Sequence, residues 1–198
     1  MTALLDGLDL RPALLRANDH GVAFLALSLD EGFGRGLARE IDAGPFERFP
    51  ESFGAVRQEI DGYDVRTPMK GYPMLSQLGE ELVWMVRAQG RGVPGLATWM
   101  PTEAGIARYR PGSLGITPHL DGKSYRRLVA VFTLYGSARF SHCRDRAGEV
   151  IESWQTGSGS LVVMRGPGLG RRRDGRPFHT VEGPERGVRC SIAFRMQD

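Results

Sequence analysis

The sequence predicts a mainly β fold with flanking helices, an α+β jelly roll with N-terminal helices packed on one sheet. Two observations lead to this fold class. Helical periodicity is confined to the first half of the chain, and short apolar segments separated by Gly or Asp turns fill the second half. Helices followed by a run of strands favour an antiparallel sandwich or barrel over an alternating α/β fold. A length of 198 residues fits one domain.

The first half is predicted to contain three helices and one strand. The third helix has the clearest pattern, because Pro73 stands at its start and Leu75, Leu78 and Leu82 recur on one stripe. Trp84 on this helix is expected in the core. The helices are predicted over 9–17, 30–42 and 73–88, and the strand begins at Gly21.

The second half is predicted to supply the jelly-roll core. We expect one domain over 1–198, with a helical, lid-forming part over 1–103 and the jelly-roll core over 104–198. Segment 53–72 is interpreted as a lid over the mouth of the barrel or as an edge hairpin with a turn at Asp61–Gly62. The predicted strands are 104–110, 114–119, 127–135, 138–143, 149–155, 159–164, 178–182 and 187–195.

Charge and cysteine content narrow the class of protein. Lys and Arg number 26 against 23 acidic residues, an excess too mild for a dedicated duplex binder. Two cysteines suit a reducing compartment. Asp6 and Asp9 stand where a signal peptide needs a basic start and an apolar stretch. We therefore expect a cytoplasmic protein that does not enter a membrane, and the sequence gives no oligomeric state.

A His-x-Asp motif is the first candidate for chemistry. On an extended strand His119 and Asp121 point to the same side, which suits two ligands of one metal. His179 follows at the start of another short strand. Two imidazoles and one carboxylate can occupy one face of an octahedral metal and leave positions open, which favours non-haem Fe(II) and O₂ chemistry. The alternative is that both histidines are structural and that Asp121 lies in a turn.

The last predicted strand supplies a second candidate, the sequence RCSIAFR. Its apolar side chains fall on one face, while Arg189, Ser191 and Arg195 share the other. An arginine inside a barrel needs a carboxylate partner, and a dicarboxylate co-substrate would supply one. Alternatively, one or both arginines reach solvent, which suits Arg195 best, or Arg189 pairs with an acidic residue of the scaffold. The candidates for that pairing are Asp121, Glu182 and Glu185.

These motifs together resemble the HxD…H…RxS signature of the Fe(II)/2-oxoglutarate-dependent oxygenases. The matching residues are His119-Leu120-Asp121, His179 and Arg189-Cys190-Ser191. The stretch YRPGSLGITPHLD before the first ligand also looks like this family. The resemblance covers 104–195, almost half of the chain.

The resemblance implies a double-stranded β-helix and an oxidoreductase that uses 2-oxoglutarate and O₂ as co-substrates and releases succinate and CO₂. It implies Fe(II) bound by the two histidines and the aspartate, with 2-oxoglutarate chelating the metal. Arg189 would bind the distal carboxylate of 2-oxoglutarate, assisted by Ser191. Tyr109, which ends the strand before the metal strand, is expected either to donate a further hydrogen bond or to lie in the core under the turn Arg110-Pro111-Gly112. Arg195 is the alternative anchor for that carboxylate. Hydroxylation is the expected reaction.

Two branches of the family and one non-enzymatic role compete. The spacing from His179 to Arg189 and Ser191 resembles the isopenicillin N synthase-like and prolyl-hydroxylase-like branches, which implies a small-molecule or peptide-like substrate. ARYRPG and the pair Arg189 and Arg195 resemble the AlkB-type dealkylases of nucleic acid, but Ala107 stands where that family has an asparagine. The third hypothesis is a metal-binding jelly-roll module without turnover.

Two segments are candidates for substrate binding. Arg172 and Arg173 belong to an arginine-rich loop before His179, which is typical of an ordinary solvated loop in this composition or else fits an anionic substrate. Tyr63 and Arg66 belong to the segment interpreted as a lid or hairpin.

Overall fold

The computed structural model describes residues 2–197, and three helices and thirteen strands form within them. The helices are α1 (Arg11–His20), α2 (Glu31–Asp42) and α3 (Pro73–Gln89). The strands are β1 (Val22–Leu25), β2 (Glu47–Arg48), β3 (Ser52–Phe53), β4 (Val56–Arg57), β5 (Ile60–Arg66), β6 (Glu103–Tyr109), β7 (Ile116–His119), β8 (Tyr125–Tyr135), β9 (Ala138–Cys143), β10 (Val150–Thr156), β11 (Leu161–Arg165), β12 (Phe178–Val181) and β13 (Arg189–Gln197).

Two antiparallel sheets form the jelly roll, as the sequence predicts. The major sheet has the strand order β1-β11-β8-β13-β6-β5-β2, and the minor sheet has the order β10-β9-β12-β7. β3 and β4 form a separate hairpin. The first half of the chain also contributes to the major sheet, through β1 at one edge and β5 and β2 at the other. Over residues 2–197 the helices are too short or too polar to cross a bilayer.

The helices cover the outer face of the major sheet. The buried positions of α2 and α3 fall on one stripe of each helix, and both stripes belong to the same apolar cluster as the sheet. Asp30 caps α2, because its side chain accepts a hydrogen bond from the Phe33 amide at 2.7 Å. A smaller apolar cluster lies between the two sheets. The chain therefore buries one face of the major sheet under helices and leaves the other face for the interior of the barrel.

Trp84 is not in the core, contrary to the prediction. Its residue surface is 69% exposed, whereas Leu82 is fully buried. Two positions along a helix correspond to a rotation of about 200°, so the neighbour of a buried leucine at that spacing faces solvent. The buried aromatic residue of this region is Trp99, whose indole Nε1 donates a hydrogen bond to the Leu128 carbonyl at 2.8 Å.

The predicted turn at Asp61–Gly62 is also wrong, because β5 runs through both residues. Gly62 pairs with Ala107 of β6, and a Cβ atom at Gly62 would lie 2.3 Å from the Ile106 carbonyl oxygen. Glycine is needed here for close backbone approach within a strand, not for a turn. The turn of this segment is instead at Gly54, which has φ +59° between β3 and β4.

The packing of β13 on α3 gives a first prediction. Phe194 is fully buried, and a Cβ atom at Gly79 of α3 would meet its ring at 3.1 Å. Phe194→Ala is expected to lower the free energy of unfolding by about 3–5 kcal/mol, because the cavity left behind cannot collapse. Trp84→Ala is the control and should change it by less than about 0.5 kcal/mol. Urea unfolding measures the free energy of unfolding of both variants. Equal losses in the two variants would contradict the packing of Phe194 on α3.

Candidate active site

Three potential metal ligands meet between neighbouring strands of the minor sheet. His119 on β7 and His179 on β12 are directly opposed in the strand register, and their ring centroids are 4.2 Å apart. Asp121 follows β7, and its Oδ1 lies 3.9 Å from Nε2 of His119 and 3.7 Å from Nε2 of His179. Potential ligand atoms of the three residues all lie within 4.8 Å of one another. The predicted His-Asp-His set is thus assembled in one place.

Backbone carbonyls orient both imidazoles. Nδ1 of His119 donates to the Thr117 carbonyl at 2.9 Å, and Nδ1 of His179 donates to the Pro177 carbonyl at 3.2 Å. A carbonyl oxygen only accepts, so Nδ1 carries a proton, and in the neutral ring Nε2 is the nitrogen with the free lone pair. Each Nε2 is the atom close to Asp121. This tautomer and orientation are those a metal-binding histidine requires.

Arg176 fixes the turn that carries Asp121. Its guanidinium donates to the backbone carbonyl of Asp121 and makes two further contacts of 2.9 Å with the Asp174 carboxylate. These hydrogen bonds hold the pKa of Asp174 well below its usual range. The sequence placed Arg176 only in an arginine-rich loop, whereas the structure gives it a positioning role behind a metal-ligand candidate.

Arg189 is a buried cation without a counter-ion. It is 1% exposed, its Nη2 donates to Thr133 Oγ1 at 3.0 Å, and its Nη1 lies 3.4 Å from Ser191 Oγ. Its Nε has no hydrogen-bond partner, and its Cζ is 5.0 Å from the centre of the Tyr109 ring. Burial lowers the pKa of Arg189. Within residues 2–197 no carboxylate reaches ion-pair distance of this guanidinium, so the alternative of a scaffold ion pair is not found.

Arg195 has the opposite environment, although it lies on the same face of β13. Its Nε lies 3.0 Å from the buried Glu103 carboxylate, and its Nη2 contacts Asp64 at 2.5 Å. Its Nη1 lies 2.9 Å from the hydroxyl of Tyr125. Two carboxylates already balance this charge. Of the two predicted anchors, only Arg189 leaves a charge for a bound carboxylate to neutralise.

One cavity of about 330 Å³ connects these groups. Small side chains keep its floor open, and at Gly105 a Cβ atom would lie 2.0 Å from the Arg195 guanidinium. Aliphatic and aromatic side chains form most of its remaining wall. The cavity is lined by seven of the polar and charged site residues that the sequence predicts. They are Tyr109, His119, Asp121, His179, Arg189, Ser191 and Arg195.

The four residues proposed from sequence for substrate binding do not line this cavity. Tyr63 is buried on the helix side of β5, and its hydroxyl donates to the Ile41 carbonyl at 2.7 Å. Arg66 is exposed at the end of β5, and Arg172 and Arg173 are exposed in the loop between β11 and β12. Sequence reasoning missed Thr133, which contacts Arg189. Its only signal is a hydroxyl within the otherwise apolar β8 sequence LVAVFTL.

The residues fit both Fe(II) and 2-oxoglutarate. Two neutral imidazoles and a carboxylate form the facial donor set typical of non-haem Fe(II). The buried, unpaired Arg189 that lines the same cavity fits the distal carboxylate of a dicarboxylate, because such a pair would satisfy the buried charge with charge-assisted hydrogen bonds.

A jelly roll that holds a His-Asp-His triad beside a buried arginine has the fold class of the Fe(II)/2-oxoglutarate oxygenases. A Pseudomonas putida prolyl-4-hydroxylase has a TM-score of 0.66 and 20% identity to this chain, over 96% of this chain and 99% of that one. A Trichoplax adhaerens prolyl hydroxylase, solved with a hypoxia inducible factor peptide, has a TM-score of 0.66 and 11% identity, over 93% of this chain and 87% of that one. A Burkholderia pseudomallei 2OG-Fe(II) oxygenase has a TM-score of 0.63 and 14% identity, over 96% of this chain and 91% of that one. No protein-family model and no curated protein matches the sequence. The predicted fold is confirmed.

The histidine pair gives a prediction of pH dependence for the metal-free protein. Burial, together with the nearby His179, lowers the pKa of His119 from 6.5 to about 4. The unfolded chain therefore binds more protons than the folded chain between these pH values. The stability linked to His119 is complete above pH 6.5 and is lost as the pH falls towards 4. Urea unfolding at pH 7 and pH 5 should show a loss in the free energy of unfolding of the wild-type protein. The loss should be smaller in His119→Gln. Identical losses in the two proteins would contradict the lowered pKa of His119.

Proposed function

We propose that the protein is an Fe(II)/2-oxoglutarate-dependent dioxygenase that hydroxylates, or otherwise oxidises, a small-molecule or peptide-like substrate. The observation that carries this proposal is the unpaired Arg189, which shares one cavity with His119, Asp121 and His179. A structural metal site needs no buried cation beside it. A dicarboxylate co-substrate gives that cation its partner.

Bound Fe(II) with 2-oxoglutarate and O₂ supplies the coupled oxidation in which one oxygen atom enters a substrate C–H bond and the other enters succinate, with release of CO₂. His119, Asp121 and His179 would hold this metal. Arg189, Ser191 and Thr133 bind the distal carboxylate and so fix the co-substrate, while the Tyr109 hydroxyl would donate a further hydrogen bond. The apolar wall excludes water from the reacting groups.

The form of the cavity supports a compact substrate group. Its 330 Å³ must also hold the co-substrate, so the part of the substrate that enters is small. The wall of the cavity includes Ile60, Ile116 and Phe140, which fit an apolar side chain or ring. The prolyl hydroxylases among the similar structures, one of them bound to a peptide, support a peptide-like substrate.

Uncoupled turnover tests the proposed function without knowledge of the substrate. We expect slow, Fe(II)-dependent formation of succinate from 2-oxoglutarate and O₂ by the purified protein, and acceleration when a substrate is added. Metal binding without any succinate would instead favour the non-enzymatic module. Acceleration by a methylated single-stranded oligonucleotide, but not by peptides or small molecules, would favour the AlkB-like alternative.

A further inference from the structure

Four exposed cations lie in the turn that follows Asp121 and in the loop that leads to β12, the strand that carries His179. They are Lys123, in the turn that follows Asp121, and Arg171, Arg172 and Arg173, in the loop between β11 and β12. We call these four residues the basic rim. They come from two segments that are more than forty residues apart in the chain, so their proximity is a product of the fold.

Backbone contacts hold the two segments together beside the metal-ligand candidates. The Arg127 amide donates to the Pro167 carbonyl at 2.8 Å, and the Gly166 amide donates to the Arg127 carbonyl at 2.6 Å. Arg176, at the end of the loop, donates to the backbone of Asp121. A groove of about 220 Å³ separates Lys123 from Arg173. The basic rim therefore adjoins the turn that carries a candidate ligand of the metal.

The charge of the basic rim is not balanced within the part of the chain that the structure describes. None of its four side chains has a carboxylate within ion-pair distance there, and the nearby Asp174 is already bound by Arg176. The pKa of Arg165 is lowered, first by its burial and second by the positive charge of the nearby Arg172. Arg172 therefore repels a neighbouring cation.

We propose that the basic rim binds an acidic segment of a peptide substrate, next to the residue that is oxidised in the cavity. This inference rests on the proposed function. Guanidinium groups bind carboxylates through paired hydrogen bonds, and several exposed arginines in sequence suit an extended acidic chain. Single-stranded nucleic acid is less suited, because its binding sites combine cations with aromatic rings on which bases stack. Neither segment contains an aromatic residue, and Tyr125 and Phe178, the first residues of the strands that follow them, are only partly exposed.

Fluorescence anisotropy tests the proposal with a labelled decaglutamate peptide, an uncharged Ser-Gly peptide and the oligonucleotide (dT)10. The full-length protein is loaded with Fe(II) and 2-oxoglutarate under anaerobic conditions. The rim variant is Lys123→Glu/Arg172→Glu/Arg173→Glu, and the control Lys70→Glu/Arg91→Glu/Arg186→Glu makes the same change of net charge at other exposed positions. We expect decaglutamate to bind more tightly than the other two probes. The rim variant should weaken its binding at least tenfold, and the control less than threefold.

Equal weakening in the two triple variants would overturn the proposal, because the effect would then follow net charge alone. Tighter binding of (dT)10 than of decaglutamate would overturn the choice of partner, and no decaglutamate binding at 150 mM salt would overturn the site. Circular dichroism checks that the variants fold, and Lys123→Gln/Arg172→Gln/Arg173→Gln replaces the rim variant if charge reversal prevents folding. Uncoupled succinate formation should be unchanged in all of these variants. Its absence from the wild-type protein would instead count against the proposed function.

Discussion

Replacement of Asp121 by alanine is expected to abolish Fe(II)-dependent succinate formation, with a loss of at least about 100-fold. Asp121 supplies the anionic donor of the facial set, and its Oδ1 lies within 3.9 Å of both Nε2 atoms. Changes to groups that merely support a metal ligand already cost about 10–100-fold in affinity or activity. Loss of the ligand itself should cost more. The measurement is the rate of succinate formation at saturating 2-oxoglutarate, together with Fe(II) affinity.

A histidine on the adjacent strand provides a matched control. His142 on β9 is opposite His179 in the strand register but is not part of the candidate metal set within the described chain. His142→Gln should retain turnover within about threefold, while His179→Ala should lose it as Asp121→Ala does. Retained activity in Asp121→Ala or His179→Ala would contradict the facial-triad assignment.

Replacement of Arg189 by methionine should weaken 2-oxoglutarate binding about 100-fold and leave metal affinity nearly unchanged. A charge-assisted hydrogen bond contributes about 1.5–3 kcal/mol, and the distal carboxylate would lose at least one such bond and the opposing charge. The free protein should lose less stability than Arg195→Met, because the buried guanidinium has no counter-ion to leave behind and only the hydroxyls of Thr133 and Ser191 lose a hydrogen-bond partner. Anaerobic titration with 2-oxoglutarate and urea unfolding measure the two effects.

Arg195→Met should give the reverse result and therefore serves as the control. It leaves the buried Glu103 without its ion-pair partner, so we expect a loss of about 3 kcal/mol in the free energy of unfolding. Affinity for 2-oxoglutarate should change less than fivefold. If Arg195→Met abolished 2-oxoglutarate binding while Arg189→Met did not, the anchor would be Arg195.

The centre of the candidate site was predictable because short-range patterns encode it. His119 and Asp121 are two residues apart, so an extended strand places both on one side. Alternation along β13 separates the cavity-facing Arg189 from apolar neighbours in the same way. The jelly roll was predictable from the number and length of the apolar strands, since each is bounded by its own turn residues.

Contacts between distant segments were not predictable. Asp64 and Arg195 are 131 residues apart, and no local pattern indicates that β5 brings a carboxylate to the end of β13. The same holds for Arg176, whose contact with the backbone of Asp121 depends on how two loops close. The type of residue alone also misplaces Trp84, because its position on α3 faces solvent.

Anaerobic titration of the metal-free protein with Fe(II) and 2-oxoglutarate tests the central claim most directly. Chelation of the metal by 2-oxoglutarate produces a visible metal-to-ligand charge-transfer band. We expect this band in the wild-type protein and its loss at the same 2-oxoglutarate concentration in Arg189→Met, followed by succinate formation when O₂ is admitted to the wild type. Absence of the band from wild-type protein that demonstrably binds Fe(II) would contradict both the role of Arg189 and the assignment as an oxygenase.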